Sequence, residues 1–278
     1  MTDQHAVVIY SGGTDSTCAA ALMAGRFSRI HLLTFVEAGT ESSPIPRGNV
    51  ERLRKKLGAE RFTHHVMRID RLLRHFSYDR YLRNVARHGF FMLSTPGFSA
   101  LSWHVRAIVY CLENGIRHAA DGLTRELMHF PGHMDGVLTQ FRALYERFGI
   151  EYSNPVRDWP TPPDRQFLDH LIVDRHGFLP LGGRERVKTT GRYLFDNGLM
   201  PHPDVKGSGA DRGMQHDCYP FVVFNLFAFW LYLGFHRQED YEVRMTGLFR
   251  EKVEDAAMLI DEYRARSAQS RLARLLAP

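Results

Sequence analysis

Residues 10–18 read YSGGTDSTC and follow the apolar run His5-Ala6-Val7-Val8-Ile9 without a break. A tight turn needs one glycine, and a helix start needs one capping residue. This stretch has Gly12 and Gly13 side by side, then Thr14, Asp15, Ser16 and Thr17 in succession. The surplus has a physical use. A strand that ends in Ser-Gly-Gly-x-Asp-Ser and opens into a helix makes a concave set of backbone N–H groups, because glycine has no Cβ to cover them. The helix N-terminus adds partial positive charge, and the hydroxyls of Ser11, Ser16 and Thr17 add donors. The stretch predicts an anion cradle at the carboxyl end of a strand, where ligands of open parallel sheets sit.

The surroundings support a parallel sheet. Ala6–Tyr10 is a continuous apolar run, as a strand buried on both faces requires, Ile30–Phe35 reads as a second buried strand and Thr63–Ile69 as a third strand. Helices are expected at Thr17–Ala24, Gly48–Leu57, Arg71 to about His88, Ser99–Glu113 and Met134–Phe148, with short strands at Arg117–Ala120 and Glu151–Asn154. Strand and helix alternate to residue 156, which predicts an α/β fold built on a doubly wound parallel sheet. Pro160, Pro162 and Pro163 mark a linker or lid. The stretch LPLGGRERVKTTGRYLFDNGLMP (179–201) reads as a glycine turn, an amphipathic helix and a stop at Gly198. Residues 202–213 read as a mobile loop, Tyr219–Phe235 as a buried helix and Tyr241–Pro278 as a helical tail.

Composition narrows the function classes. The 278 residues are 44% apolar and 24% charged, with a formal charge of +5. That mix belongs to a globular protein with a real core, and the mild positive charge suits an anionic substrate. Cys18, Cys111 and Cys218 stand far apart, which argues against a disulfide framework and against a zinc site of paired cysteines. The polar start MTDQH does not read as a signal peptide, and the run from Tyr219 is interrupted by Pro220 and Asn225, so no membrane span is expected and the cytoplasm is the default location.

SGGTDS resembles the SGGxDS loop of the PP-loop ATP pyrophosphatases, the adenine-nucleotide α-hydrolase-like superfamily with a HUP/Rossmann-like domain. It differs from the Walker motif, which needs GxxxxGK[ST]. The resemblance implies ATP cleaved between its α and β phosphates, with magnesium pyrophosphate held by Ser11, Gly12, Gly13, Thr14 and Ser16, and Asp15 near the metal. ENGIRHAADGLTRE (113–126) is similar to a segment of the tRNA 2-thiouridylases, with Ala120-Asp121-Gly122 where ATG would stand. This implies that Gly122 lets the backbone approach the nucleotide, that Arg125 lies near phosphate, and that Phe35 packs on adenine. Residues 179–201 are similar to the PLGxxxKxxVRxxAxxxGLP segment of the same enzymes.

In those relatives a loop after that segment delivers a cysteine. Here the loop is GSGADRGMQHDCYPF, with Cys218 at the matching place beside His216 and Asp217. Cys218 reads either as a sulfur-handling residue or as a buried structural cysteine. The relatives' first cysteine lies in an NPCxxCN loop, but residues 92–103 read MLSTPGFSALSW. Cys111, inside an apolar helix, is the second candidate and reads more simply as core, as does Cys18.

The leading expectation is an enzyme with ATP and Mg2+ as cofactors. It adenylates a carbonyl oxygen of a nucleobase, nucleotide or related heterocycle and then replaces AMP by sulfur, with a desulfurase or C–S lyase as sulfur donor. His104, Arg106 and Arg125 are candidate phosphate partners. Small size and modest charge favour a small acceptor over tRNA, and a homo-oligomer is compatible with the sequence. Ammonia as nucleophile, in amide- or nitrile-forming ligation, is the alternative within the fold. A nucleotide-binding module without turnover is the alternative outside enzymology. The expected organisation is residues 1–156 as the ATP-binding domain, 157–240 as the region closing over the site, and 241–278 as the helical tail.

Overall fold

Strand order decides where a ligand would sit. The computed structural model describes residues 4–38, 47–79, 81–125, 129–159, 189–205 and 223–277. Among these, five strands, β1 (His5–Ile9), β2 (Arg29–Val36), β3 (Phe62–Arg68), β4 (His118–Ala120) and β5 (Glu151–Ser153), form one sheet in the order β3-β2-β1-β4-β5. Every pairing is parallel, with Val7 opposite both His31 and Ala119, His31 opposite Thr63, and Ala119 opposite Tyr152. The chain moves outward from β1 to β3, then returns to the other side of β1 for β4 and β5. This is the doubly wound arrangement, and its switch point lies between the carboxyl ends of β1 and β4.

Alternation along the strands feeds two cores. Ala6 and Val8 of β1, and Tyr10 just beyond it, face one side with Ile30, Leu32 and Phe62. There they are covered by α1 (Thr14–Ala24), α2 (Arg47–Leu57) and α7 (Thr190–Asp196), which contribute Cys18, Leu53 and Leu194. Val7, Leu33, Phe35 and Ala119 face the other side. That side is covered by α3 (Asp70–Ser77), α5 (Thr95–Asn114), α6 (Asp135–Arg147), the long α8 (Gln238–Arg266) and α9 (Arg271–Leu276). Each fully buried Leu or Val on either face contributes roughly 1.5–3 kcal/mol relative to exposure. The C-terminal helices therefore share a core with the sheet: Tyr241, Met245 and Phe249 of α8 lie in one cluster with Phe98 and Phe141.

Two expectations are corrected. The stretch 71–88 is not one helix: α3 stops at Ser77 and α4 (Tyr81–His88) starts afresh. No glycine or proline marks the break. Lys252 of α8 donates to the Phe76 carbonyl at 2.8 Å, taking a helix-terminal acceptor, while His75 bonds Asp79 and Asp255. The run from Tyr219 is not a buried helix in its described part. It widens into a π-helix at Leu226–Tyr232 and buries one face only, with Phe224, Phe227 and Ala228 inside and Val223, Leu226, Trp230 and Leu231 exposed. Uniform apolarity carries no period, so the sequence held no sign of which side would be covered. The expected stop at Gly198 is present, with the residue in the left-handed region at φ 68°. The proline segment 160–163 and the loop residues 206–222, Cys218 included, lie outside the described residues. Among the described residues no helix is long and apolar enough to cross a membrane.

Candidate functional site

The loop between β1 and α1 is held by its own hydroxyls. Thr17 Oγ1 donates to the Gly13 carbonyl at 2.8 Å and pairs with the Tyr10 hydroxyl at 3.1 Å. Ser16 Oγ reaches the same carbonyl at 3.2 Å and accepts from the Gly12 N–H at 3.2 Å. Ser11 Oγ accepts from the Gly13 N–H at 3.3 Å and lies 3.1 Å from Ser16 Oγ. Gly12 sits at φ 91°, a conformation that would strain any residue with a Cβ. Gly13 is the N-cap of α1 and supplies no side-chain cap, so the helix begins without the oxygen that usually closes it. Ser11 is exposed and Asp15 partly so, while Gly12, Gly13, Thr14 and Ser16 are buried.

Three other segments converge on this loop. From α2, Asn49 Nδ2 donates to the Gly12 carbonyl at 2.7 Å, and Asn49 Oδ1 accepts from Arg52. From α7, the Thr190 hydroxyl donates to Asp15 Oδ1 at 2.6 Å. From the exit of β4, Gly122 lies so close to α1 that a Cβ there would stand 2.4 Å from the Ser16 nitrogen and 2.6 Å from the Asp15 carbonyl carbon. The close approach that this glycine permits is thus to the backbone of α1, across the switch point. Asn49 and Thr190 were not singled out from sequence, because each acts on a residue distant in the chain.

The other predicted positions are distributed as follows. Phe35 is buried in the core at the end of β2. Arg125 is engaged by Asp158 at 2.7 Å and Asp135 at 2.9 Å, and Asp135 also holds the buried Arg157. Arg106 pairs with Glu113 at 3.6 Å. His104 is enclosed by Phe141, Tyr145 and Tyr152, and burial pushes its imidazole down to about 3, so it stays neutral. Cys111 is fully buried, and burial pushes its thiol up to about 12. Cys18 is fully buried under the opposite face of the sheet. Among the described residues no group of three or more His, Cys, Asp or Glu side chains could hold a metal ion.

One carboxylate at the ligand-side edge of the sheet also went unremarked in the sequence. Glu37, just past β2, is buried, and it accepts from Ser99 Oγ at 2.9 Å. Burial pushes its carboxyl up to about 7, with Asp70 adding to the shift.

A strand, a glycine turn and a helix start without a side-chain cap thus meet at the switch point of a parallel sheet, which is the setting expected for SGGTDS from sequence. No protein-family model matches the chain, and no curated protein matches it closely. Solved structures were found with partial likeness. One, described as a predicted subunit of a tRNA methyltransferase from Methanocaldococcus jannaschii, is 18% identical over 63% of this chain and 88% of its own, with a TM-score of 0.35. A 4-thiouridine synthetase in complex with RNA and ATP is 14% identical over 90% of this chain and 53% of its own, with a TM-score of 0.41. This chain therefore spans about half the length of that synthetase. A U34-tRNA thiolase from Methanococcus maripaludis with an iron–sulfur cluster is 8% identical over 91% of this chain and 72% of its own, with a TM-score of 0.29. All three scores lie below 0.5, so the functional reading rests on the loop itself.

Proposed function

We propose that the chain is a PP-loop ATP pyrophosphatase that adenylates a carbonyl oxygen of a nucleobase or nucleotide and then replaces AMP by sulfur. The observation that carries this reading is the hydroxyl-braced SGGTDS loop at the uncapped N-terminus of α1. A polyphosphate fits such a site for three reasons. The exposed Ser11 hydroxyl and the backbone N–H groups of the first turn of α1 supply donors, the helix end supplies partial positive charge, and the loop is already ordered by its own bonds, which lowers the cost of binding. Magnesium fits through the one carboxylate of the loop, Asp15, since this ion is commonly held by one or two carboxylates together with nucleotide phosphates. Bound there, it would neutralise the leaving pyrophosphate.

The protein's own groups have distinct parts in this scheme. Ser11 and Ser16 orient the leaving phosphates, Asn49 fixes the Gly12 carbonyl so that the loop keeps its curvature, and Thr190 fixes the Asp15 carboxylate. Cys218 is the proposed sulfur-carrying residue, because a thiolate is the reactive form and Cys111 and Cys18 are enclosed in the cores. Uridine and its nucleotides serve as the first acceptors to try, since their ring carbonyl oxygens can be adenylated.

The test is an incubation with ATP, magnesium, a sulfide donor and uridine, uridine monophosphate or RNA, analysed by mass spectrometry. AMP, pyrophosphate and a product with sulfur in place of oxygen are expected. Amide formation with ammonia in place of sulfide would transfer the reading to the ligase branch. Absence of AMP with every acceptor, together with no binding of α,β-methylene-ATP, would remove it.

A further inference from the structure

One short helix is strongly basic for its length. α2 carries Arg47, Arg52, Arg54, Lys55 and Lys56 against the lone Glu51, while the whole chain has a formal charge of only +5. Arg52, Lys55 and Lys56 stand at i, i+3 and i+4, so their side chains leave the same face and repel one another. All three are exposed, and they line a pocket of about 400 Å³ whose other wall is the Gly198–Pro201 turn after α7. Among the described residues, no aspartate or glutamate lines that pocket. Gly198 matters to its shape: the residue is in the left-handed region, and a Cβ there would come within 3.2 Å of Lys56 Nζ.

The pocket is also wired to the candidate site. Arg52 donates to Asn49 Oδ1, and the amide of that same Asn49 donates to the Gly12 carbonyl at 2.7 Å. Its second wall continues the helix whose Thr190 holds Asp15. An anion at Arg52, Lys55 and Lys56 would therefore lie beside the SGGTDS loop but outside it. Three cations lining one pocket, with no carboxylate among its described lining residues, are stabilised by a multiply charged oxyanion, and a phosphate group has that chemistry.

We propose that this pocket receives a phosphate group of the acceptor, so that the acceptor is a nucleotide or an oligonucleotide and not a free base or nucleoside. The inference rests on the adenylating reading above for the word acceptor, and on the α2 geometry for the site. A terminal phosphate of a mononucleotide and an internal phosphate of single-stranded RNA offer the same oxyanion, and the probes below separate them.

The experiment uses the full chain and its Lys55→Gln/Lys56→Gln double variant, with uridine, uridine monophosphate, a fluorescein-labelled single-stranded RNA and α,β-methylene-ATP as probes. Calorimetry reads the small molecules, and anisotropy reads the RNA between 50 and 200 mM salt, values of the order at which phosphate contacts are sensitive to counterions. The wild type is expected to bind uridine monophosphate or the RNA, and uridine at least about tenfold more weakly, since a charged hydrogen bond is worth that much. The double variant should lose about tenfold for whichever phosphate ligand binds, and its RNA salt slope should fall by about 1.4, roughly 0.7 per removed contact on a single strand. Its affinity for α,β-methylene-ATP should change less than about twofold, and its unfolding midpoint should stay put because both lysines are exposed.

Unchanged affinity for both phosphate ligands overturns the proposal, as does a wild type that binds neither. An equal loss of α,β-methylene-ATP overturns it as well, because the pocket would then belong to the ATP site. If the wild type binds no α,β-methylene-ATP and releases no pyrophosphate, the adenylating reading fails separately, and lysine-dependent phosphate binding still decides the pocket.

Discussion

Thr190 donates its hydroxyl to the Asp15 carboxylate across 2.6 Å, joining residues 175 positions apart. The bond ties α7 to the first turn of α1, and Thr190 is fully buried. Its isostere, Thr190→Val, should lower stability by about 1–2 kcal/mol, at the modest end for a bond to a charged and partly exposed acceptor. AMP formation should fall about tenfold or more, because a freed Asp15 samples other rotamers, and Thr190→Ser should restore most of both. Asp15→Ala and Ser11→Ala should fold and yet form no AMP, since neither side chain is in a core. Denaturant titration and a pyrophosphate-release assay check these outcomes. A well-folded Asp15→Ala protein with full activity would contradict the assignment of the loop.

Gly122→Ala tests the contact across the switch point. The new Cβ would stand 2.4 Å from the Ser16 nitrogen, a backbone atom that can move only with α1 itself. Overpacking of this kind costs about 1–3 kcal/mol. The distortion falls on Asp15 and Ser16, so affinity for α,β-methylene-ATP should drop further than stability does. Calorimetry on the variant reads this, and unchanged affinity would show that α1 can shift without disturbing the cradle.

What could be read in the sequence was local. Two glycines and four hydroxyls within seven residues announced the loop, and the alternation of strand and helix announced a parallel sheet. The end of α3 was not legible, because the group that ends it, Lys252, comes from a helix that far down the chain. Thr190 was invisible as a site residue for the same reason: inside 179–201 it reads as an ordinary residue of a helix start, and only the fold shows that its partner is Asp15. Glu37 gave a faint signal, a carboxylate directly after a buried strand, which becomes informative once β2 is known to end beside the loop.

Stability should decline in acid. Burial pushes His31 and His64 down to about 4, and His129 likewise to about 4. His31 is joined to His5, Tyr110 and Thr63, and Tyr110 in turn to His65, so it faces neighbours that offer no negative charge at neutral pH. A folded value below the unfolded 6.5 means that the unfolded chain binds more protons, so this contribution is complete above about 6.5 and is lost as the pH falls toward 4. Glu37 runs the other way. With its carboxyl raised from 4.5 to about 7, its contribution is complete below 4.5 and is lost as the pH rises through 7. Burial raises the Asp121 carboxyl as well, but His31, His64, His104 and His129 outweigh these two carboxyls, so denaturation midpoints should drop between pH 6.5 and 4. Glu37→Gln should raise stability at pH 8 relative to pH 5. A flat profile over that range would show that the histidines are hydrated in solution.

The sulfur step separates the three cysteines. The thiolate is the nucleophile, and a thiol pushed up to about 12 by burial supplies almost none of it at neutral pH. Cys111 should therefore resist iodoacetamide in the native state and react only after unfolding, and Cys18, on the buried face of α1, should behave alike. Cys111→Ala should keep thiolation, with a stability loss of about 1 kcal/mol from the small cavity. Cys218→Ser should still release pyrophosphate when an acceptor is present, because adenylation needs no thiol, and should yield no thiolated product. Mass spectrometry of product and of alkylated peptides reads both arms. Normal thiolation by Cys218→Ser with free sulfide as donor would mean that sulfur reaches the adenylate without a protein cysteine. The same result accompanied by a dead but folded Cys111→Ala would instead place the sulfur on Cys111 and require α5 to open during turnover.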